Sequence, residues 1–369
     1  MEEMPKVTTG GNKRIEKSSI KRILVRATNW VGDAVMTIPA LEAIKENFPD
    51  SSITVMARPW VIPLFEHHPA VDDIISFPRG KGILGSLAIK AKMVKLIRKY
   101  RFDMAILFQN AFEAAFLSLL GGVRLRIGYI TDGRRFLLSH GIIRNKKILT
   151  IHQTEYYLFI LKAMGWRAKS RYPVLYISPE DIKKARRSLS LCGIKQDDFL
   201  VGLGPGAIYG ETKRWPSDRF AKIGDLAYKK WDAKVVVMGS EKEIDICSSV
   251  TNSMAMESVN FGGRTSLGEA MAIIAECDFF LTNDSGLMHI AAALGVPTVA
   301  IFGSTNPTAT GPSGPFTMTI KHDIACAPCL QPKCKKDFRC MLSIEVQEVW
   351  EHMEHLKKSV VKHETCSFS

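Results

Sequence analysis

Two periods of hydrophobicity alternate along the chain. Over residues 22–28, 52–56 and 104–108 the sequence is dense in apolar and β-branched residues. Over 34–47 and 86–101 apolar residues return every third or fourth position. The dense runs predict strands and the spaced ones helices. The switch recurs further on, where 199–203, 234–238, 279–281 and 298–302 read as strands and 217–230, 267–275 and 287–294 as helices. Strands and helices taken in turn predict βαβ units and parallel sheets. A proline- and cation-rich stretch, 172–194, separates two sets of elements, each long enough for one doubly wound domain. The expected fold is therefore α/β, two Rossmann-like doubly wound domains facing across a cleft. A disordered polar tail is expected over 1–20, the first domain over 21–175, the second over 176–345, and a last helix from 346.

Composition narrows the class. With 46% hydrophobic and 24% charged residues, the 369-residue chain has the mix of a folded globular protein. The longest nearly apolar run, 290–303, is shorter than the roughly 20 residues of a membrane span, and Pro297 interrupts it. No apolar core of an export signal lies near the start, so a cytoplasmic location is expected.

The net charge of +13 is uneven: residues 1–180 hold 28 Lys and Arg against 15 Asp and Glu, and residues 181–369 hold 22 against 22. The excess concentrates in 79–101, with eight cations and no acid, and in 122–147, with seven cations and only Asp132 against them. Over 86–101 the lysines alternate with apolar residues at helical spacing, which suits a solvated helix face; two such blocks in one half point to an anionic partner. Of the eight cysteines, four lie in one stretch, Cys326, Cys329, Cys334 and Cys340. That spacing suits a tetrahedral metal or a reduced or partly disulfide-linked loop, and no metal is assigned to it.

Three strand-to-helix loops carry candidate chemistry, since ligands of open α/β sheets sit beyond the carboxyl ends of strands. The first, 29–33, ends in Asp33, which serves as a helix N-cap or as a general base. The second, Gly202-Leu-Gly204-Pro-Gly206-Ala207, runs on through Tyr209, Gly210, Lys213 and Arg214. It departs from a dinucleotide fingerprint, and its adjacent cations suit a phosphate or a plain surface. The third runs from Thr282 through Asp284, Ser285 and Gly286 to His289 and opens an alanine-rich helix, whose N–H groups and dipole suit a diphosphate. His289 either packs or donates to the same anion.

These loops read Asn29-Trp-Val-Gly32-Asp33-Ala-Val-Met-Thr-Ile-Pro39-Ala-Leu41, Gly204-Pro-Gly206 to Lys213-Arg-Trp-Pro216, and Thr282-Asn-Asp284-Ser-Gly-Leu-Met-His289-Ile-Ala-Ala-Ala-Leu294-Gly-Val-Pro297. In that order they resemble the ADP-heptose:lipopolysaccharide heptosyltransferases, glycosyltransferase family 9, most closely the heptosyltransferase II branch. The likeness runs from about residue 21 to 351. It implies a GT-B fold with an N-terminal acceptor domain, a C-terminal nucleotide-sugar domain and a last helix over 346–358 crossing back to the first. It also implies Asp33 as catalytic base and Lys213 as a diphosphate-binding, catalytic lysine. Gly32, Gly206, Tyr209, Gly210, Thr282, Asp284, Ser285, Gly286 and His289 complete the donor site. Where a related branch has a glutamate for the adenosine ribose, this chain has Gly268, with Glu269 beside it.

The chemistry agrees with that resemblance. When a sugar is transferred from a nucleoside diphosphate, the diphosphate departs as an anion that cations and helix N–H groups stabilise, so one carboxylate base is enough. The expected partners are ADP-heptose and an anionic, lipid-linked lipopolysaccharide inner core held by Arg124, Arg126, Arg134 and Arg135. Peripheral contact with the cytoplasmic face of the inner membrane is expected too. No cofactor is required, with Mg²⁺ at most a stimulant, and no nucleic acid is expected. The rivals are a GT-B enzyme for another nucleotide sugar and a non-catalytic polyanion-binding protein.

Overall fold

A computed structural model describes residues 7–9, 15–145 and 147–366. The chain divides into two units, Met1–Tyr176 and Ile177–Ser369. The first contains β1 (Val7–Thr9), β2 (Arg22–Arg26), α1 (Val31–Met36), α2 (Ile38–Asn47), β3 (Ser52–Ala57), β4 (Asp73–Ser76), α3 (Gly82–Tyr100), β5 (Met104–Leu107), α4 (Phe112–Leu120), β6 (Leu125–Tyr129), β7 (His140–Ile142) and α5 (Gln153–Ala163). The second contains α6 (Pro179–Leu191), β8 (Leu200–Gly204), α7 (Ser217–Trp231), β9 (Lys234–Val237), α8 (Ile244–Ser253), β10 (Val259–Asn260), α9 (Leu267–Ala275), β11 (Phe279–Asn283), α10 (Gly286–Ala293), β12 (Thr298–Phe302), α11 (Pro307–Thr310), β13 (Thr317–Lys321), α12 (Arg339–Leu342) and α13 (Val346–Cys366).

Each unit builds one sheet, and the two are wound alike. The first has the order β1-β7-β6-β5-β2-β3-β4 and the second β10-β9-β8-β11-β12-β13. Every pairing is parallel except that of β1 on β7. Helices cover both faces, which is why central strands such as Ile23-Leu24-Val25 and Phe279 to Asn283 are buried throughout instead of alternating. In the first unit the parallel strands start at β2, run outward to β4, then return to β5. In the second it starts at β8, runs out to β10, and returns to β11. The direction of winding therefore reverses between β2 and β5 and between β8 and β11, where open α/β sheets bind ligands.

Two expectations need correction. The tail expected to be disordered over 1–20 is structured where it is described. The β-branched Val7–Thr9 pairs with the open edge of β7, Ile20 is buried, and Lys17 Nζ donates to Asn47 Oδ1 at 2.7 Å; the rest of that tail lies outside the described residues. The helix expected over 34–47 is two, because Pro39, near the N-terminus of α2, brings no N–H to continue α1. The last helix, α13, packs on the second unit: Val349, Trp350 and Met353 enter its core, Trp350 packs on Trp231 at 4.7 Å, and His322 Nε2 pairs with Glu348 at 3.0 Å.

Candidate functional site

In the second unit, the ends of β8 and β11 bring two of the three sequence loops together. Asn283, fully buried at the end of β11, clamps the base of the loop that follows β8. Its Nδ2 donates to Pro205 O at 2.7 Å, and its Oδ1 accepts from Trp215 N at 3.0 Å. The loop between those anchors carries Lys213, whose Nζ lies 2.6 Å from Asp284 Oδ2 and 5.0 Å from the centre of the Tyr209 ring. Thr305 Oγ1 donates to the same Asp284 oxygen at 2.6 Å. Asp284 is only 5% exposed. A buried carboxylate held this way fixes the lysine and leaves the ammonium's remaining donors for an anion.

Next to this pair α10 begins. Ser285 holds the N-cap position, but its hydroxyl lies 3.2 Å from Thr282 Oγ1 and does not cap the helix. The uncapped first turn keeps N–H donors and the positive end of the dipole for an anion. Thr282 is fully buried, its hydroxyl donating to Gly204 O at 3.1 Å, so it shapes the turn from within; His289 is buried too. Because the Asn283 clamp ties both loop ends, Asn283→Ala should leave the Trp215 N–H and the Pro205 carbonyl buried without partners. A loss of about 1–3 kcal/mol for each, read as a fall in Tm, is expected.

Two features here were not legible in the sequence. Glu243 is buried beside Gly206, where a Cβ would stand 2.1 Å from Glu243 Oε1, so any larger residue there would push the glutamate aside. Its Oε2 accepts from Ser240 N and Oγ at 2.8 and 2.6 Å, which caps the turn after β9. Glu269 is spent at a different place, closing the α9 capping box by accepting from Ser266 N at 2.7 Å. The second feature is the cysteine-rich segment, which braces the Lys213 loop. Tyr209 Oη donates to Leu330 O at 2.7 Å, Thr212 Oγ1 donates to Gln331 O, and Gly210 fits against the Pro332 backbone with no room for a Cβ. Cys326, Cys329, Cys334 and Cys340 are free thiols. Burial and then the three neighbouring sulfurs push Cys340 up. Among the described residues no group of three or more His, Cys, Asp or Glu is placed to hold a metal.

In the first unit, Asp33 is the third residue of α1 and half-buried; Trp30 occupies the cap position, so the N-cap reading of Asp33 falls. A carboxylate in the first turn still complements the helix dipole. Burial, and then the charge of Asp33, push the Tyr157 hydroxyl well above its ordinary value. Around the β2–β5 switch, Arg26 Nε and Nη2, Thr28 Oγ1, Asn29 Oδ1 and Gln109 Oε1 are buried without a protein partner. Buried polar atoms are normally satisfied, so this group marks a polar space.

The four arginines expected to hold the acceptor separate in two. Arg134 is wholly buried and donates to Tyr129 O at 2.9 Å, to Gln109 O and Ala111 O, and to Asn110 Oδ1 at 3.3 Å. Arg126 donates to Leu137 O at 2.6 Å, Arg124 O at 3.0 Å and Val123 O. Both guanidinium groups tie loops together, whereas Arg124 and Arg135 are exposed. The cations that line a cavity are others: Arg58, Arg79 and Lys90 surround one of about 250 Å³ together with Glu113 and Phe77. Arg58 is held there by Phe77 O and Pro78 O at 3.0 and 2.9 Å, and both Arg58 and Arg26 stack on Phe77, at 4.2 and 4.7 Å. Burial, and then the Arg58 charge, pull Arg26 down to about 9.

Two Rossmann-like sheets, each with its ligand loops at the switch point and one with a lysine beside a helix N-terminus, define the GT-B class of glycosyltransferases. The comparisons with known proteins agree. The pattern of glycosyltransferase family 9 (heptosyltransferase) matches residues 90–338. The lipooligosaccharide heptosyltransferase 2 of Haemophilus influenzae is 32% identical over 302 residues, 79% of this chain and 85% of that protein. The lipopolysaccharide heptosyltransferase 2 of Escherichia coli is 29% identical over 79% of this chain and 85% of its own length. The solved structure of E. coli ADP-heptose lps heptosyltransferase II superposes with a TM-score of 0.77 at 26% identity, over 92% of this chain and 99% of that one. A family 9 glycosyl transferase from Veillonella parvula, at 23% identity and TM-score 0.83, shares the fold over 94% of this chain and 100% of its own. This chain belongs to glycosyltransferase family 9, the heptosyltransferases, and is an enzyme of that class.

Proposed function

We propose that the enzyme moves L-glycero-D-manno-heptose from ADP-heptose to a heptose of the anionic, lipid-linked inner core of lipopolysaccharide, with inversion. The observation that carries this reading is the Lys213 ammonium, fixed by Asp284 and Thr305 beside the uncapped start of α10. The names of the relatives supply the sugar and the acceptor class.

Asp33 takes the proton from the acceptor hydroxyl as its oxygen bonds to the anomeric carbon. The bond from that carbon to the β-phosphate oxygen breaks, and its electron pair leaves with ADP. Lys213 and the N–H groups at Ser285 and Gly286 meet the charge that develops, with His289 in the same turn, so the scheme needs no metal or other cofactor. Asp284 acts through Lys213, since a carboxylate against a diphosphate would repel it. Gly206 and Gly210 keep the loop close to Glu243 and Pro332. Glu243, following the second strand of its Rossmann-like unit, stands where such folds place the acid for a ribose diol.

The anionic acceptor is held by Arg58, Arg79 and Lys90. Three cations around one acid, Glu113, leave a positive surplus that an oxyanion would balance. Arg79→Ala with Lys90→Ala should raise the acceptor KM about tenfold or more and leave the KM for ADP-heptose nearly unchanged, most clearly at low salt. Among the described residues no helix is long and apolar enough to cross a membrane, and the enzyme meets its lipid-linked acceptor as a peripheral protein on the cytoplasmic face. Nucleic acid has no place in this scheme.

A screen of nucleotide sugars, scored by nucleotide release with and without a heptose-terminated core acceptor, tests the reading. Acceptor-dependent release from ADP-heptose alone is expected. Release from a different nucleotide sugar would reassign the donor.

A further inference from the structure

The surface of the first unit carries an apolar face that no other described part of that unit covers. Helix α4 is apolar on both sides: Ala114, Ala115 and Leu117 enter the core, while Phe112, Phe116, Leu119 and Leu120 stay in solvent, each about 40% exposed. Those four recur at i, i+4, i+7 and i+8, so they form one stripe. The helix's only charge, Glu113, is outside it and paired with Lys90 at 2.8 Å. The stripe continues onto the turn after β6, where Phe136, 76% exposed, lies 6.0 Å from Phe112 by ring centres. Phe112 in turn stacks on Phe116 at 5.8 Å.

Helix α3 extends this face. It runs alongside α4 in the same direction, tied near its middle by Lys90 to Glu113 and eight residues later by Arg98 Nε to Leu120 O at 2.9 Å. Its first two turns therefore reach beyond the start of α4. There Ile83 and Leu84 are 82% exposed and Leu87 57%. Ser86 and Ile89 turn toward the cavity and the core, so Ile83, Leu84 and Leu87 are apolar residues on the solvated side of the opening turns, where packing does not call for them.

Charge selects the partner. Lys81, Lys92, Lys95, Lys99, Arg124 and Arg135 are exposed on the same two helices and adjoining loops. The blocks 79–101 and 122–147 that contain them hold one acid, Asp132. Exposed aromatic and aliphatic side chains on helices that also carry exposed lysine and arginine match the interface of a bilayer with anionic headgroups, where the apolar part inserts and the cations stay at the headgroup level. Nucleic acid would gain nothing from bare Ile83, Leu84 and Leu87, and a second copy would bring like charge against like.

We propose that α4, the opening turns of α3 and the turn at Phe136 form the face by which the protein docks on an anionic lipid surface. The docking is read from this surface alone; that it serves to meet a lipid-linked acceptor rests on the transferase reading above.

The test is flotation of the full-length protein with vesicles of phosphatidylglycerol and phosphatidylcholine, against vesicles of phosphatidylcholine alone. The wild type should float with the mixed vesicles and much less with the neutral ones. Phe112→Ser with Phe136→Ser should reduce flotation roughly tenfold. Arg124→Gln with Arg135→Gln should bind less and converge with wild type as salt rises. Should the phenylalanine pair lower Tm, Ile83→Ser with Leu84→Ser, at positions outside the core, takes its place. No flotation of the wild type, a concentration-dependent dimer without flotation, or flotation unchanged in both apolar variants overturns the proposal. Turnover on a deacylated, water-soluble acceptor is measured in parallel. Its persistence in variants that no longer float keeps the transferase reading apart from the docking, and its absence in a wild type that floats counts against the transferase reading only.

Discussion

Asp33→Asn is expected to lower turnover by about 10²–10⁴, the usual range for removing a positioned general base, while ADP affinity stays within a factor of two or so of wild type. The amide keeps the shape and cannot take a proton. Trp30 and not Asp33 occupies the cap position of α1, so the loss of an N-cap is not part of the expected effect. A fall in Tm of several degrees with turnover intact would return Asp33 to a structural role. Tyr157 offers a second readout: the Asp33 charge is the second cause, after burial, that holds its hydroxyl high. Neutralising Asp33 lowers the Tyr157 pKa, so its ultraviolet titration at alkaline pH should begin earlier in the variant.

The Lys213 pair gives the second large effect, and the two partners must be read together. In the proposed scheme Lys213→Ala removes a charge-assisted contact to the diphosphate, worth roughly 1.5–3 kcal/mol, so about a ten- to hundredfold loss of ADP affinity is expected. It also strands Asp284, which is buried, and breaking a buried ion pair costs about 3–5 kcal/mol of stability. The double variant with Asp284→Asn removes the stranded charge. It should recover most of the lost Tm and none of the lost ADP affinity, as measured by calorimetry. Recovery of affinity along with Tm would show that Lys213 acts on the fold and not on the nucleotide.

The strongly patterned parts of the chain were legible and the short or mutually dependent parts were not. The helix at 267–275 and the strand at 298–302 agree with the periodicity to the residue, because Ser266 caps the one and Pro297 precedes the other. Short strands at or next to the sheet edges, such as β4, β7 and β10, of two to four residues, show no period, and β1 depends on pairing with β7, more than 130 residues distant in sequence. The loop motifs placed Asp33, Lys213 and Asp284 at the two switch points, because chemistry there is local to one strand end. Arginine was the misleading residue. Arg126 and Arg134 look like surface charge in a basic block, yet their planar, many-donor heads gather carbonyls of neighbouring loops. Arg58, alone among uncharged neighbours, gave no such signal and lines the cavity. Glu243 was hidden for a related reason: it lies 30 residues beyond Lys213, and only the pairing of β8 with β9 brings it to Gly206.

The transfer itself is tested most directly by incubating the full-length enzyme with ADP-heptose and a heptose-terminated core lipid, then analysing the lipid by mass spectrometry and its new anomeric centre by NMR. The account predicts a gain of one heptose for each ADP released, with the anomeric configuration opposite to that of the donor. Release of ADP without a heavier lipid, or a product that keeps the donor's configuration, would contradict it.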